Sequence, residues 1–393
     1  MRHGSEGSTI LELRLFSFST GQPHPLAEQP IIFIDKKILP LNYISVEIEI
    51  VGDALILLIN FPKWSNNSDI FSLVRWKMGQ THCVSVSMVL HIVSGPTSLM
   101  LYVQLGTPGN DIYINFSHLS QDTLVMPNLD ERTLEVSKIV IDSDDMPRFV
   151  PLCVLHLPPL TQSTYLYEVY CQAEPNPIGP GPVAILPPSD RPFRDKSEDA
   201  IVIFNMTYRH SSGTHLGWLT LIVHRRALLA HIPAVHRTCA PFCSPPGPTP
   251  AVVQLPWSAW GPPATRLFVG NSTPVYWIST TAGQRAVTLE NRMPSPIIVR
   301  DFNPYAVRAA RALAAENEQP EKGNWSQQLP NRNRTTLNVE DSVLLAGPIF
   351  QEDVRTSLPY VEVVTQDEYH YDGVMIDDQR ILGLKVSLES SCR

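Results

Sequence analysis

Proline constrains this chain more than any other residue: thirty-six prolines are spread along its 393 residues. That is roughly 9% against a usual ~5%. Proline lacks a backbone donor and breaks helix interiors, so few windows are left that could hold a helix. Short strands between turns fit better. Charged residues make up only 17%, below the usual ~25%, which excludes a coiled coil, an acidic tail protein and a highly charged disordered chain.

The hydrophobic pattern agrees. Leu11 to Phe18, Ile44 to Ile50 and Cys83 to Val89 alternate apolar and polar residues with the period of two that half-buried strands require. Similar short runs recur from Phe71 to Trp76 through to Ile381 to Val386, giving roughly twenty strands. A propeller blade takes four strands and ~40 to 45 residues, so the fold class read here is all-β and propeller-like, with about five to seven blades. Two sandwiches in tandem are the competing layout.

One peripheral helix is predicted. Asn303 can cap it, Pro304 suits its first position, and Tyr305 to Glu316 is alanine-rich. Three connections interrupt the strands: Pro-rich segments at Glu174 to Asp195 and Cys239 to Pro250, and a polar loop at Asn317 to Asp341 with the composition of a disordered segment. The expectation is a single β-rich domain over residues 1–393.

The bulk numbers narrow the function classes. A net charge of -8 works against phosphate backbones, so nucleic acid is not an expected partner. The most apolar window, Ala54 to Phe61, is far short of the ~20 residues a membrane span needs. Met1 to Ser8 carries charge and glycines where a secretory signal would turn apolar, so none is read. Six dispersed cysteines suit reduced thiols in a cytoplasmic or nuclear protein. Against this stand glycosylation sequons beginning at Asn66, Asn115, Asn205, Asn271, Asn324 and Asn333, which would suit a secreted lectin-like module.

Chemistry-bearing motifs are weak. Gly179-Pro-Gly-Pro-Val-Ala184 matches a dinucleotide pattern, but Pro180 and Pro182 remove amides that the pyrophosphate would need. His224, His231, His236, Cys239 and Cys243 are the densest set of zinc-type ligands, with a spacing that departs from CxxC. Asp142, Asp144 and Asp145 lack the glycine of a calcium loop. Glu368, Asp372, Asp377 and Asp378 could serve a glycosidase if a cleft set them across a sugar. Arg225, Arg226, Arg292, Arg300, Arg308 and Arg311 read either as an anion patch or as partners of local carboxylates. Trp76, Trp218, Trp257, Trp260 and Trp277 lie in or beside strands, where indoles usually fill the core and now and then form a binding surface. No catalytic, cofactor or metal residue is assigned from these.

Several strings resemble a known family. Leu255-Pro-Trp-Ser-Ala-Trp-Gly-Pro262, Val299-Arg-Asp-Phe-Asn-Pro-Tyr305, Ile349 to Tyr360, and Tyr371-Asp-Gly-Val-Met-Ile-Asp377 with Leu382-Gly-Leu-Lys385 are similar to the C-terminal part of F-box proteins of mushroom-forming fungi. Earlier strings agree, among them Val74 to Gly79, Ala173-Glu-Pro-Asn-Pro177 and Val223 to Leu228. The resemblance implies a WD-repeat-like region that recognises the substrate of a ubiquitin ligase, behind an F-box helix bundle that docks on the ligase adaptor. The chain departs from that plan at its start, where a strand begins by Ile10 in place of leucine-rich helices. The expectation is therefore a protein-interaction scaffold, not an enzyme, with no cofactor. Its partner is an unknown protein, and the adaptor joins only through an upstream F-box. A propeller-type carbohydrate-active enzyme is the alternative.

Overall fold

The computed structural model describes residues 11–17, 20–25, 27, 30–34, 45–51, 54–60, 70–75, 80–85, 99–102, 115–141, 147–177, 196–240, 242–243, 251–270, 279–290, 292–317, 333–377 and 379–385. The fold is mostly β, built from several sheets. A ribbon of β1 (Leu11–Arg14) and β2 (Ile31–Ile34) comes first. The first large sheet is a meander of β3 (Ser45–Val51), β4 (Ala54–Asn60), β5 (Ile70–Arg75) and β6 (Gln80–Ser85), with β7 (Leu99–Tyr102) parallel to β6. In the second, β8 (Ser117–His118), β9 (Thr123–Asn128), β10 (Thr133–Ile141) and β11 (Pro147–His156) form an antiparallel meander, and β15 (Val253–Leu255) adds in parallel to β11.

The third sheet has the order β12 (Thr164–Gln172), β13 (Ile201–His210), β14 (His215–His224), β16 (Thr265–Gly270), all antiparallel. The fourth runs β17 (Thr281–Ala282), β18 (Arg285–Leu289), β19 (Ser295–Asp301), β23 (Tyr360–Tyr369), β20 (Asn333–Asn338). Two ribbons complete the set, β21 (Ser342–Leu344) with β22 (Val354–Thr356) and β24 (Gly373–Ile376) with β25 (Ile381–Leu384).

The prolines inside strands sit where a missing donor costs little. Pro147 opens β11, Pro151 and Pro296 lie beside register shifts of β11 and β19, and Pro127 lies on β9 beyond the short pairing with β8. Others shape helices. Helix α1 (Arg225–Ala230) follows β14 directly, Pro233 precedes α2 (Ala234–Arg237), and Pro256 precedes α3 (Trp257–Ala264). Pro304 opens α4 (Pro304–Asn317), where the Tyr305 amide donates to Asn303 Oδ1 at 2.8 Å. Helix α4 is the peripheral helix of the sequence reading.

The other three helices correct that reading, which allowed one. Helices α1 and α2 have six and four residues, too few for a helical period to show against the flanking pattern. Helix α3 ends in Pro262 and Pro263, and tertiary packing holds it: Trp257 and Trp260 are buried edge to face at 5.2 Å, and the Trp260 indole donates to His156 O at 2.9 Å. The stretch Asn317 to Asp341, expected as a loop, contains β20.

The third sheet is covered on both faces. Val202, Phe204, Met206 and Tyr208 of β13 and Leu219, Leu221 and Val223 of β14 share a core with Val125, Leu134, Val136 and Leu155 of the second sheet. On the opposite face, Ile201, Ile203 and Ile222 pack with Ala286, Phe302, Leu358 and Tyr360. A strand buried on both faces needs apolar residues at every position, and β13 begins Ile-Val-Ile-Phe accordingly.

Candidate functional site

Cross-strand register turns the second face of the third sheet into rows. Ile203 and Ile222 form the innermost row, then Tyr170, Asn205, Thr220 and Phe268, then Glu168, Thr207, Trp218 and Gly270, and last Tyr165, Arg209 and His215. On the two central strands, β13 and β14, each row is more polar or more aromatic than the one before, while Gln172 and Arg266 flank the innermost row on β12 and β16. At the inner end the face closes on the fourth sheet, with Phe268 edge to face with Phe302 at 6.5 Å and with Tyr360 at 5.4 Å. Further out the two sheets splay, leaving a wedge-shaped cavity of about 440 Å³. Asn205, Trp218 and Thr220 line one wall, Thr288, Ile298 and Arg300 the other, and Met293 and Tyr371 stand among its remaining lining.

The polar groups of the wedge are largely committed. Arg300 Nε donates to Glu362 at 3.0 Å while its guanidinium lies 4.3 Å over the Phe268 ring. Arg292 donates to Glu290 and Glu368 at 2.6 and 2.7 Å. Asn205 Oδ1 accepts from the Thr220 hydroxyl at 2.9 Å. Its Nδ2, like the Trp218 indole N–H, has no hydrogen-bond partner among the described residues. Gly270 faces Trp218, whose Cβ and carbonyl oxygen would lie 3.1 Å from a Cβ added there.

Outside the wedge the same face forms an aromatic shelf. Tyr165 and Tyr167 are exposed and meet edge to face at 6.4 Å, the Arg209 guanidinium lies 3.6 Å over Tyr167, and His215 sits 4.1 Å from Trp218. Tyrosine, tryptophan and arginine are the side chains that dominate protein interfaces, because each brings much contact area and a polar tip. The sequence signal for this shelf is the alternation Tyr165-Leu-Tyr167, which the tryptophan positions alone do not reveal.

Of those tryptophans, Trp257 and Trp260 are core residues and Trp218 reaches the surface; Trp76 and Trp277 lie outside the described residues. Arg225 belongs to no anion patch. It is wholly buried, and its guanidinium donates to the carbonyls of Ala173, Pro175 and Ser197. Burial lowers it to about 10, so it stays charged at neutral pH. Arg226 pairs with Asp199 at 3.1 Å, and Arg308 lies 4.5 Å over Tyr305.

The remaining candidates do not converge. Among the described residues no three His, Cys, Asp or Glu side chains are placed to hold one metal ion. His224 Nδ1 contacts Asp199 O at 3.0 Å, Cys239 Sγ donates to Val235 O at 2.9 Å, and burial lowers His224, His231 and His236. Glu368 is bound to Arg292 and Asp377 caps its own turn by accepting from the Gln379 and Arg380 amides, the main cause of its lowered pKa. The motif at Gly179 to Ala184, the run at Asp142 to Asp145, and Asp378 lie outside the described residues. Two sequon asparagines, Asn115 and Asn205, are buried, which closes them to a glycan in the folded chain, whereas Asn333 is exposed. Among the described residues no helix is long and apolar enough to cross a membrane.

No protein-family model, curated protein or solved structure matches the chain.

Proposed function

We propose that this chain is a protein-interaction scaffold: the propeller-like substrate-recognition region of an F-box-type ubiquitin-ligase receptor, acting in the cytoplasm or nucleus by binding and not by chemistry. The observation that carries the interaction reading is the shelf of Tyr165, Tyr167, Arg209 and Trp218, which leads without a break into the wedge. Such a surface supplies a few large anchors on a rigid support, which is how scaffold faces gain affinity. In support of the propeller, sheets of four or five strands built mainly from antiparallel neighbours follow one another along the chain, and the third packs against the second on one face and the fourth on the other. Blades stack in this way around an axis, whereas a tandem of two-layer sandwiches would leave one face of each sheet to solvent. The link to the ligase rests on the sequence resemblance.

The test places a photo-reactive amino acid at Tyr167, and at exposed Leu345 as control, in the chain expressed in cells. Protein adducts at Tyr167 that are absent at Leu345 are the expected result. No protein adduct at Tyr167 would overturn the scaffold reading. Ligase adaptor recovered with the full-length gene product would support the F-box assignment, and its failure to co-purify would remove it.

A further inference from the structure

We propose that the wedge is the anchor pocket of this surface and takes an uncharged apolar side chain of an extended partner segment, whose main-chain amide pairs with Asn205. The proposal rests on the interaction reading above and deepens it by naming the chemistry of the anchor. Charge balance argues first. A cationic anchor would meet Arg292 and Arg300, and an anionic one would meet Glu290 and two arginines already bound to carboxylates. Asp372, at the same cavity, is engaged as well. The Arg300–Glu362 pair, with each side chain 19% exposed, is largely shielded from water, so breaking it for a charged anchor would leave a partly buried charge without its partner.

Hydrogen-bond valence argues second. Asn205 spends one lone pair of Oδ1 on Thr220 and keeps its amide N–H groups and a second lone pair, on a side chain that is largely buried. A donor and an acceptor side by side match one chemical group, another amide. The Trp218 N–H adds a further donor at the same wall. Around them Ile222, Phe268 and Ile298 make the surface apolar. A volume of about 440 Å³ exceeds a single side chain and admits one together with its adjoining main chain.

The experiment selects binders to the purified full chain from a random 12-residue peptide display library and measures their affinities for three variants. Asn205→Asp keeps the size and the acceptor for Thr220 while removing the N–H donors. Met293→Arg puts a charge on an exposed residue at the cavity, outside the packed core. Tyr305→Ala, on α4, is the control. The expected result is a consensus with an aliphatic or aromatic anchor flanked by uncharged residues, weakened about tenfold or more by the first two variants and unchanged by the third. A consensus anchored by acidic, phosphorylated or basic residues overturns the proposal and leaves the scaffold reading intact. So do binders indifferent to both wedge variants, or a small molecule that fills the wedge without displacing the peptides. A library that yields no binder, with no adduct at Tyr167, fails both readings together.

Discussion

Asp122 fastens the segment from α2 to Cys243 onto the second sheet, and its removal should be among the costliest single changes in the molecule. Its Oδ2 lies 3.2 Å from Lys138 Nζ and accepts from the Phe242 amide at 2.9 Å, while Oδ1 accepts from Ser120 and Thr123 hydroxyls at 3.0 and 3.2 Å. Lys138 is 2% exposed, and its other contacts are the carbonyls of His236 and Ala240 at 3.3 and 3.5 Å. Asp122→Ala therefore strands an ammonium group in the interior and leaves the Phe242 amide without its acceptor. Breaking one side of a buried pair costs about 3 to 5 kcal/mol, a large share of the ~5 to 15 kcal/mol that holds a typical protein folded. The first urea transition should fall to lower denaturant, and amide exchange should quicken most across residues 234–243. Replacing both partners, as Asp122→Ala with Lys138→Met, removes the stranded charge and should recover more than half of the loss. A single variant that loses less than about 1 kcal/mol, or a double variant no better than the single, would refute the assignment of Asp122 as the counter-charge.

Three further outcomes follow from the same contacts. His118 is wholly buried; burial first, then the Arg225 charge, lower it to about 3 against the pull of the Ser120 carbonyl, with Glu49 Oε2 3.8 Å from Nε2. Between its ordinary 6.5 and about 3 the unfolded chain holds the extra proton, so stability falls as pH falls, by up to about 1.4 kcal/mol per unit. Urea midpoints at pH 7 and 5 should lie closer together in His118→Gln, with the remaining dependence left to the other shifted groups, His224, His231, His236 and Glu174; an unchanged slope would exclude His118 as its source. In Gly383→Ala the new Cβ would lie 2.3 Å from the Tyr371 ring, which is stacked on Tyr369 at 5.2 Å. The ring must shift at a cost of about 1 to 3 kcal/mol, with loss of near-ultraviolet dichroism and weaker binding at the wedge; an unaltered spectrum would show that the ring has room. Arg225→Lys replaces a planar fork serving three carbonyls by a point charge and should lower stability by about 2 to 4 kcal/mol in urea unfolding, whereas a wild-type midpoint would mean that the fork is dispensable.

How far the molecule was legible in its sequence differs by scale. The strands were legible, because period-two alternation and proline punctuation are local signals, and observed elements such as β3, β10 and β19 overlie the runs that announced them. Helix α3 was not, since its stability comes from where Trp257 and Trp260 land against β11, and its composition speaks for a turn. Buried Arg225 was equally hidden: three carbonyls from two chain segments converge on it, and only the fold brings them together. The wedge lies between these extremes. Along β13 the even positions Val202, Phe204, Met206 and Tyr208 stay apolar, while the odd positions run Ile201, Ile203, Asn205, Thr207, Arg209. One phase of the strand keeps its core and the other leaves it step by step. Strand β14 mirrors this in reverse with Trp218, Thr220 and Ile222. A gradient confined to one phase of two adjacent strands is the sequence signature of two sheets that touch at one end and part at the other. What it leaves open is the identity of the opposing wall, which here comes from β18 and β19, some eighty residues further along the chain.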